Sequence, residues 1–217
     1  MVRIYVEGGG DHNPSLAHDV RQGFQSFFVK SGIKMKPRVI ASGSRIKAYE
    51  DYCIAVKSGL PAMLLVDSEA PVFERFVQGT HHDWKPWEQL QSRKDQAGVQ
   101  CDPWEKVGSD ADCHLMVQMM ETWFLADVDA MKAYFKGGFK ANMFPNDDEN
   151  IEEISKTRTE AILKASTAET KKEGYIKGRD SFIILSQVDP KKVRARSKWA
   201  DRFLRLLTEK TEQTFLR

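Results

Sequence analysis

Apolar positions along the N-terminal part of the chain alternate between runs that suit strands and stripes that suit helices. Residues 2–6 (VRIYV) are β-branched and aromatic and are stopped by Glu7 and three glycines, which predicts a buried strand ending in a tight turn. Leu16, Val20, Phe24, Phe27 and Phe28 then recur at helical spacing, with Ser15 as the expected cap and Ser31-Gly32 as the stop. A short strand over 37–41 follows, then a helix capped by Ser44 whose expected apolar stripe is Ile46, Tyr49, Cys53 and Val56. Gly59 and Pro61 close it. Residues 62–66 (AMLLV) form a continuous apolar run of the kind buried in parallel sheets, followed at once by Asp67, Ser68 and Glu69. The order to this point is βαβαβ.

Over 71–112 the periodicity dissolves into a long loop or insertion, in which only a helix near 73–78 is expected. The stretch 113–125 (CHLMVQMMETWFL) predicts a strand continuing into a helix, and Asp127 predicts the cap of a helix over 128–135 that Gly137-Gly138 ends. After an acidic loop over 145–153 come a helix over 154–164, a Lys-rich turn around Gly174, an apolar segment over 182–185 and a helix start at Asp189-Pro190. Ser197 predicts the cap of a last helix that buries Trp199, Phe203, Leu206 and Leu207. The expected fold is α/β, a mainly parallel sheet flanked by helices with a helical C-terminal extension. It is read as a single domain over 1–217, with its core over 1–136 and a basic helical region over 151–217.

Composition narrows the classes. With 217 residues, 41% hydrophobic and 33 basic against 31 acidic, the chain suits one substantial domain and not a disordered tail or a disulfide-stapled mini-protein. No apolar run approaches the ~20 residues that span a bilayer. Residues 1–10 read as a strand running into glycines and not as a signal peptide, and Cys53, Cys101 and Cys113 are too few for a disulfide framework, so a cytoplasmic location with reduced thiols is expected. The formal charge of +2 hides an asymmetry: residues 155–217 hold 16 basic and 8 acidic residues, and residues 1–154 hold 17 and 23. An acidic body thus carries a basic C-terminal third, a surface suited to a polyanion or simply a solvated helix face.

Two acidic groups follow buried strands directly, where an open parallel sheet forms its ligand crevice: Glu7, with Asp11 four residues on, and Asp67 with Glu69. Crowded carboxylates repel one another unless a cation neutralises them, and a sparse set of oxygen donors suits Mg²⁺ or Mn²⁺. The plain alternative is that they are turn and cap residues. Gly8-Gly9-Gly10 lacks both the Gly-Lys-Ser/Thr of a phosphate loop and the GxGxxG of a dinucleotide site, so these glycines are expected to give the backbone room beside Glu7. His81-His82-Asp83 reads as an exposed polar turn, and Trp84, Trp87 and Trp104 as core or interface aromatics, with base stacking the alternative.

Val6-Glu7-Gly8 closing the first strand, with Val66-Asp67-Ser68-Glu69 closing another 60 residues later, resembles the Toprim fold of topoisomerases, bacterial primases, small ribonucleases and the overcoming-lysogenization-defect (OLD) nucleases. The Glu7–Asp11 spacing resembles the first motif of the OLD-type enzymes, and residues 114–127 resemble a block in bacterial Toprim-like proteins implicated in phage defence beside an ATPase. The family pattern has Asp-x-Asp where this chain has Asp67-Ser68-Glu69, whose last side chain is one methylene longer. The resemblance implies that Glu7 is the central catalytic carboxylate, that Asp67 and Glu69 hold Mg²⁺ or Mn²⁺, and that Asp11 and Glu121 serve a second ion. Lys177, between glycines in Gly174-Tyr175-Ile176-Lys177-Gly178-Arg179, is the expected cation at the phosphate, with Arg179 as an alternate. Lys191, Lys192, Arg194, Arg196 and Lys198 would contact the backbone of DNA or RNA. The expected function is a metal-dependent nuclease of a bacterial defence system. The alternative is a non-catalytic Toprim-like binding or regulatory module that works with a separate ATPase chain, since no Walker motif occurs here.

Overall fold

The apolar runs become neighbours in one all-parallel sheet of order β2-β1-β3-β4, made of β1 (Arg3–Val6), β2 (Arg38–Ala41), β3 (Ala62–Asp67) and β4 (Cys113–Met116). The computed structural model describes residues 1–9 and 14–216. All of β3 is buried, so both faces of the sheet must be covered. Because successive side chains point to opposite faces, the strands divide between two cores. Ile4, Val6, Met63, Leu65 and Met116 belong to one, and Tyr5, Leu64, Val66 and Leu115 to the other.

The first core is closed by α1 (Pro14–Lys30) together with C-terminal helices, so the region read as an extension forms one layer of the fold. Val20, Phe24, Phe27 and Phe28 of α1 share this core with residues from α4 (Val128–Phe135), α5 (Lys156–Thr167), α6 (Ser181–Gln187), α7 (Pro190–Arg196) and α8 (Lys198–Phe215). Gly23 sets the spacing of α1 and α6, because a Cβ there would stand 2.7 Å from the Phe182 carbonyl oxygen. The second core lies under α2 (Arg45–Lys57) and α3 (Pro86–Ser92), where Trp87 packs on Tyr52, Trp104 on Tyr49 and Trp84 on Trp199. Those tryptophans therefore order the segment that lacked periodicity, and base stacking is not their role.

Among the described residues no further strand pairs beyond β4. Arg202 of α8 is fully buried there and donates to the carbonyls of His81 (2.8 Å), Cys113 (2.9 Å) and Asp110 (2.7 Å). A guanidinium thus satisfies the first carbonyl of β4 and two carbonyls of the segment that leads into it.

The expected caps hold at Ser44, Asp127, Asp189 and Ser197, each of which accepts a hydrogen bond from a backbone N–H in the first turn. Other details differ. Ser15 lies inside α1, which starts at Pro14, a residue whose fixed φ suits a first helical position. Ile46 is exposed, and α2 buries Ala48, Tyr52 and Ala55 instead of the expected stripe. The helix expected over 73–78 is a single 3₁₀ turn, Glu74–Phe76, and the segment after β4 continues as a 3₁₀ helix, Met120–Ala126. No helix among the described residues is long and apolar enough to cross a membrane.

Candidate functional site

The C-terminal ends of β1 and β3 bring three carboxylates together. One oxygen each from Glu7, Asp67 and Glu69 lies within 4.8 Å of the others. Local backbone geometry makes this possible. Ser68 and Glu69 continue the ladder beyond β3, their N–H groups donating to Met116 and Gln118 carbonyls at 2.9 Å. Glu69 then adopts φ 64°, a left-handed conformation unfavourable for a residue with a Cβ, which turns the chain at the sheet end. On the other strand, Gly8 exchanges hydrogen bonds of 2.7 and 2.9 Å with Gly43 at φ 117°, drawing the ends of β1 and β2 together beside Glu7. Gly8 gives backbone room there, as expected, while Gly10 lies outside the described residues.

Asp67 is buried, and its Oδ1 accepts the Met120 N–H at 2.9 Å. Burial raises its carboxyl pKa well above the ordinary value, and the neighbouring charges of Glu7, Glu121 and Glu69 push it the same way. Glu7 is also raised, chiefly by burial, although Arg45 pulls against the shift. Glu7 Oε2 is a buried oxygen with no hydrogen-bond partner. Three cations stand around the acids: Arg45 Nη1 is 3.6 Å from Glu7 Oε2, Lys156 pairs with Glu69, and Lys177 Nζ is 3.6 Å from Glu121 Oε1. Among the described residues Asp67 has no ion-pair partner.

Lys177 reaches the site because α6 packs closely on α1 and carries the preceding loop over the strand ends. Burial lowers its pKa, but Glu121 and Asp67 outweigh this and leave the ammonium raised. Glu121 is 2% exposed and accepts from Tyr175 Oη at 3.0 Å and Ser181 Oγ at 3.4 Å. Glu7, Asp67, Glu121, Lys177, Gly178 and Phe182 line a common cavity of about 250 Å³.

Other expected residues lie elsewhere. Asp11 is outside the described residues. Glu121 adjoins Asp67 but stands apart from the three-carboxylate group. Arg179 is held by Asp180 and by the carbonyls of Lys172 and Gly174. In the basic cluster, Lys192 is 2.7 Å from both Asp127 and Asp129, and Arg194 is 2.7 Å from Asp201. Arg196 donates to the carbonyls of Leu125, Asn146 and Glu149, while Lys191 and Lys198 are exposed. Lys192 and Arg196 line a separate cavity of about 890 Å³, to which none of the site carboxylates contributes. His81 and His82 stand in a polar turn near Asp201 and Glu209.

Arg45, Lys156 and Tyr175 escaped the sequence reading. Arg45 had a signal: it follows the Ser44 cap at the end of β2, the same kind of strand-end position that marks Glu7 and Asp67. Lys156 and Tyr175 arrive through tertiary packing and have none. The donor set is all oxygen, it contains a buried oxygen that accepts no hydrogen bond, and the carboxyls of Glu7 and Asp67 are held above their ordinary pKa values, so these residues fit a hard divalent cation better than a soft one.

A family model described as Domain of unknown function (DUF4276) matches residues 6–208, and the chain belongs to that family. No curated protein and no solved structure matches it.

Proposed function

We propose that this DUF4276-family chain is a Mg²⁺- or Mn²⁺-dependent phosphodiesterase acting on DNA or RNA, a Toprim-like effector in bacterial defence. The observation that carries the reading is the meeting of Glu7, Asp67 and Glu69 within 4.8 Å, with a buried Glu7 oxygen that accepts no hydrogen bond. These three residues would hold the ion. A divalent ion at such a site polarises a phosphoryl oxygen and makes a bound water more acidic.

The protein groups have separate tasks. The Met120 N–H holds Asp67 Oδ1, and Lys156 holds Glu69, so both side chains are oriented before substrate arrives. Glu7, whose carboxyl is raised by burial and crowded by Glu69, would give its charge to the ion beside Asp67 and Glu69. Lys177 offers a compact ammonium in the same cavity to the charge that develops on the phosphate, and Glu121 and Tyr175 fix its surroundings.

Purified protein is expected to cut labelled DNA or RNA with Mn²⁺ and to lose that activity in Glu7→Gln and Asp67→Asn. Failure to cut either polymer, with metal binding unchanged in both variants, would sink the proposal. One observation favours the second reading, a non-catalytic module serving a separate ATPase chain: Arg45 and Lys156 already pair with Glu7 and Glu69 and can hold the acids without an ion.

A further inference from the structure

One guanidinium touches both catalytic strand ends. Arg45 Nη1 donates to the backbone carbonyl of Asp67 and also lies 3.6 Å from Glu7 Oε2. The rest of the group is held from the opposite side. Nε and Nη2 donate to the two oxygens of Asp102 at 3.0 and 3.2 Å, a bidentate fork that fixes the guanidinium plane. Asp102 is 5% exposed in its side chain and also accepts from Arg93 Nη1. The guanidinium carbon stands 5.1 Å from the centre of the Trp104 ring, which stacks on Tyr49 at 4.6 Å. Arg93, Asp102 and Trp104 all come from the 93–104 stretch between β3 and β4, which supplies none of the acids of the site.

We infer that Arg45 is a positioning residue for the metal centre, fixing the Glu7 carboxylate against the Asp67 backbone, and that the 93–104 segment holds Arg45 in place. The inference rests on the metal reading of these acids. Two consequences of the same contact have opposite signs. As a cation close to a ligand, Arg45 repels an incoming divalent ion; as a clamp, it preorganises the ligands. Asp102 takes both Nε and Nη2 and so keeps the geometry of Nη1, and the clamp is expected to outweigh the repulsion. Lysine cannot replace it, since an ammonium lacks the planar fork that reaches Asp102 and Asp67 together.

The test is Mn²⁺ affinity, read by electron paramagnetic resonance on the full chain, for wild type, Arg45→Met, Arg45→Lys and Asp102→Asn, with folding checked by circular dichroism. Weakening by about 10-fold or more is expected in Arg45→Met, the scale of losses when groups orienting metal ligands are removed. Arg45→Lys should recover only part of it, and Asp102→Asn should move in the same direction with Arg45 still present. A purely structural role would lower the melting temperature and leave the affinity of folded protein unchanged, which would overturn the inference. So would equal or tighter binding by Arg45→Met. If wild type itself binds no Mn²⁺, the metal reading falls and takes the inference with it; if wild type binds and the variants match it, only the inference falls.

Discussion

Replacing Asp67 by asparagine removes a buried charge from a cluster that repels it, so the metal-free protein is expected to become more stable. With carboxylate oxygens within 4.8 Å, each ionised pair is opposed by about 3.5 kcal/mol at an effective dielectric of about 20. Asp67 belongs to two such pairs, with Glu7 and Glu69. Nearby cations and proton uptake relieve most of that cost, which leaves a gain of about 2 kcal/mol for the variant at pH 8. The asparagine oxygen can still accept the Met120 N–H, and its amide can donate to the remaining carboxylates. For a chain of this length about 2 kcal/mol corresponds to roughly 4–8 °C in melting temperature.

The pH dependence has a definite sign. Burial and neighbouring acids raise the folded-state pKa of Asp67, so the folded wild type binds its proton more readily than the unfolded chain. Its contribution is fully present below the unfolded carboxyl value of about 3.9 and is lost as pH rises through the raised folded value. The advantage of Asp67→Asn should therefore open as pH rises through the raised folded-state value. Melts in EDTA at several pH values read it directly. Adding Mn²⁺ at about 100 times its dissociation constant should stabilise wild type by about 2.7 kcal/mol and leave the variant nearly unmoved. A variant that melts below wild type in EDTA at pH 8 would show that the protein already satisfies the Asp67 charge, and the reasoning would fail.

Further outcomes follow from the packing. Gly23→Ala should cost about 1–3 kcal/mol in urea unfolding, because its Cβ meets the Phe182 carbonyl oxygen at 2.7 Å and forces α6 off α1. An unchanged midpoint would show that this approach is soft. Arg202→Met should cost about 3 kcal/mol or more, since it strips the donor from the carbonyls of His81, Asp110 and Cys113. Native thiol labelling should modify exposed Cys101 fastest and spare Cys113, whose thiol is buried and has its pKa pushed far up by that burial. Labelling of Cys113 at the same rate would mean that the sheet edge opens readily.

Much of the fold could be read in the chain because strands and caps carry local signals. The VRIYV and AMLLV runs became neighbouring strands β1 and β3, and Ser44, Asp127, Asp189 and Ser197 cap helices where their side chains can bond first-turn N–H groups. The segment 71–112 was opaque because its order comes from tryptophans packed on a sheet face, which leaves no period in the sequence. Ile46 misled for a related reason: α2 buries small residues and a tyrosine, while two isoleucines, Ile46 and Ile54, face outward. At the site, the strand-end acids and Lys177 were visible. Their ionic surroundings were not, since Arg45 and Lys156 meet them only in space. The basic cluster shows the limit of charge counting, because Lys192, Arg194 and Arg196 are engaged by this chain's own carboxylates and carbonyls.

The central claim is that Glu7, Asp67 and Glu69 form a divalent-metal centre. Anomalous diffraction from crystals soaked in Mn²⁺ tests it most directly. The expected result is one peak bound by oxygens of all three residues at about 2.1 Å, near the spacing for small hard divalent ions. Ordered protein with no peak there, or with the three carboxylates turned away from one another, would contradict it.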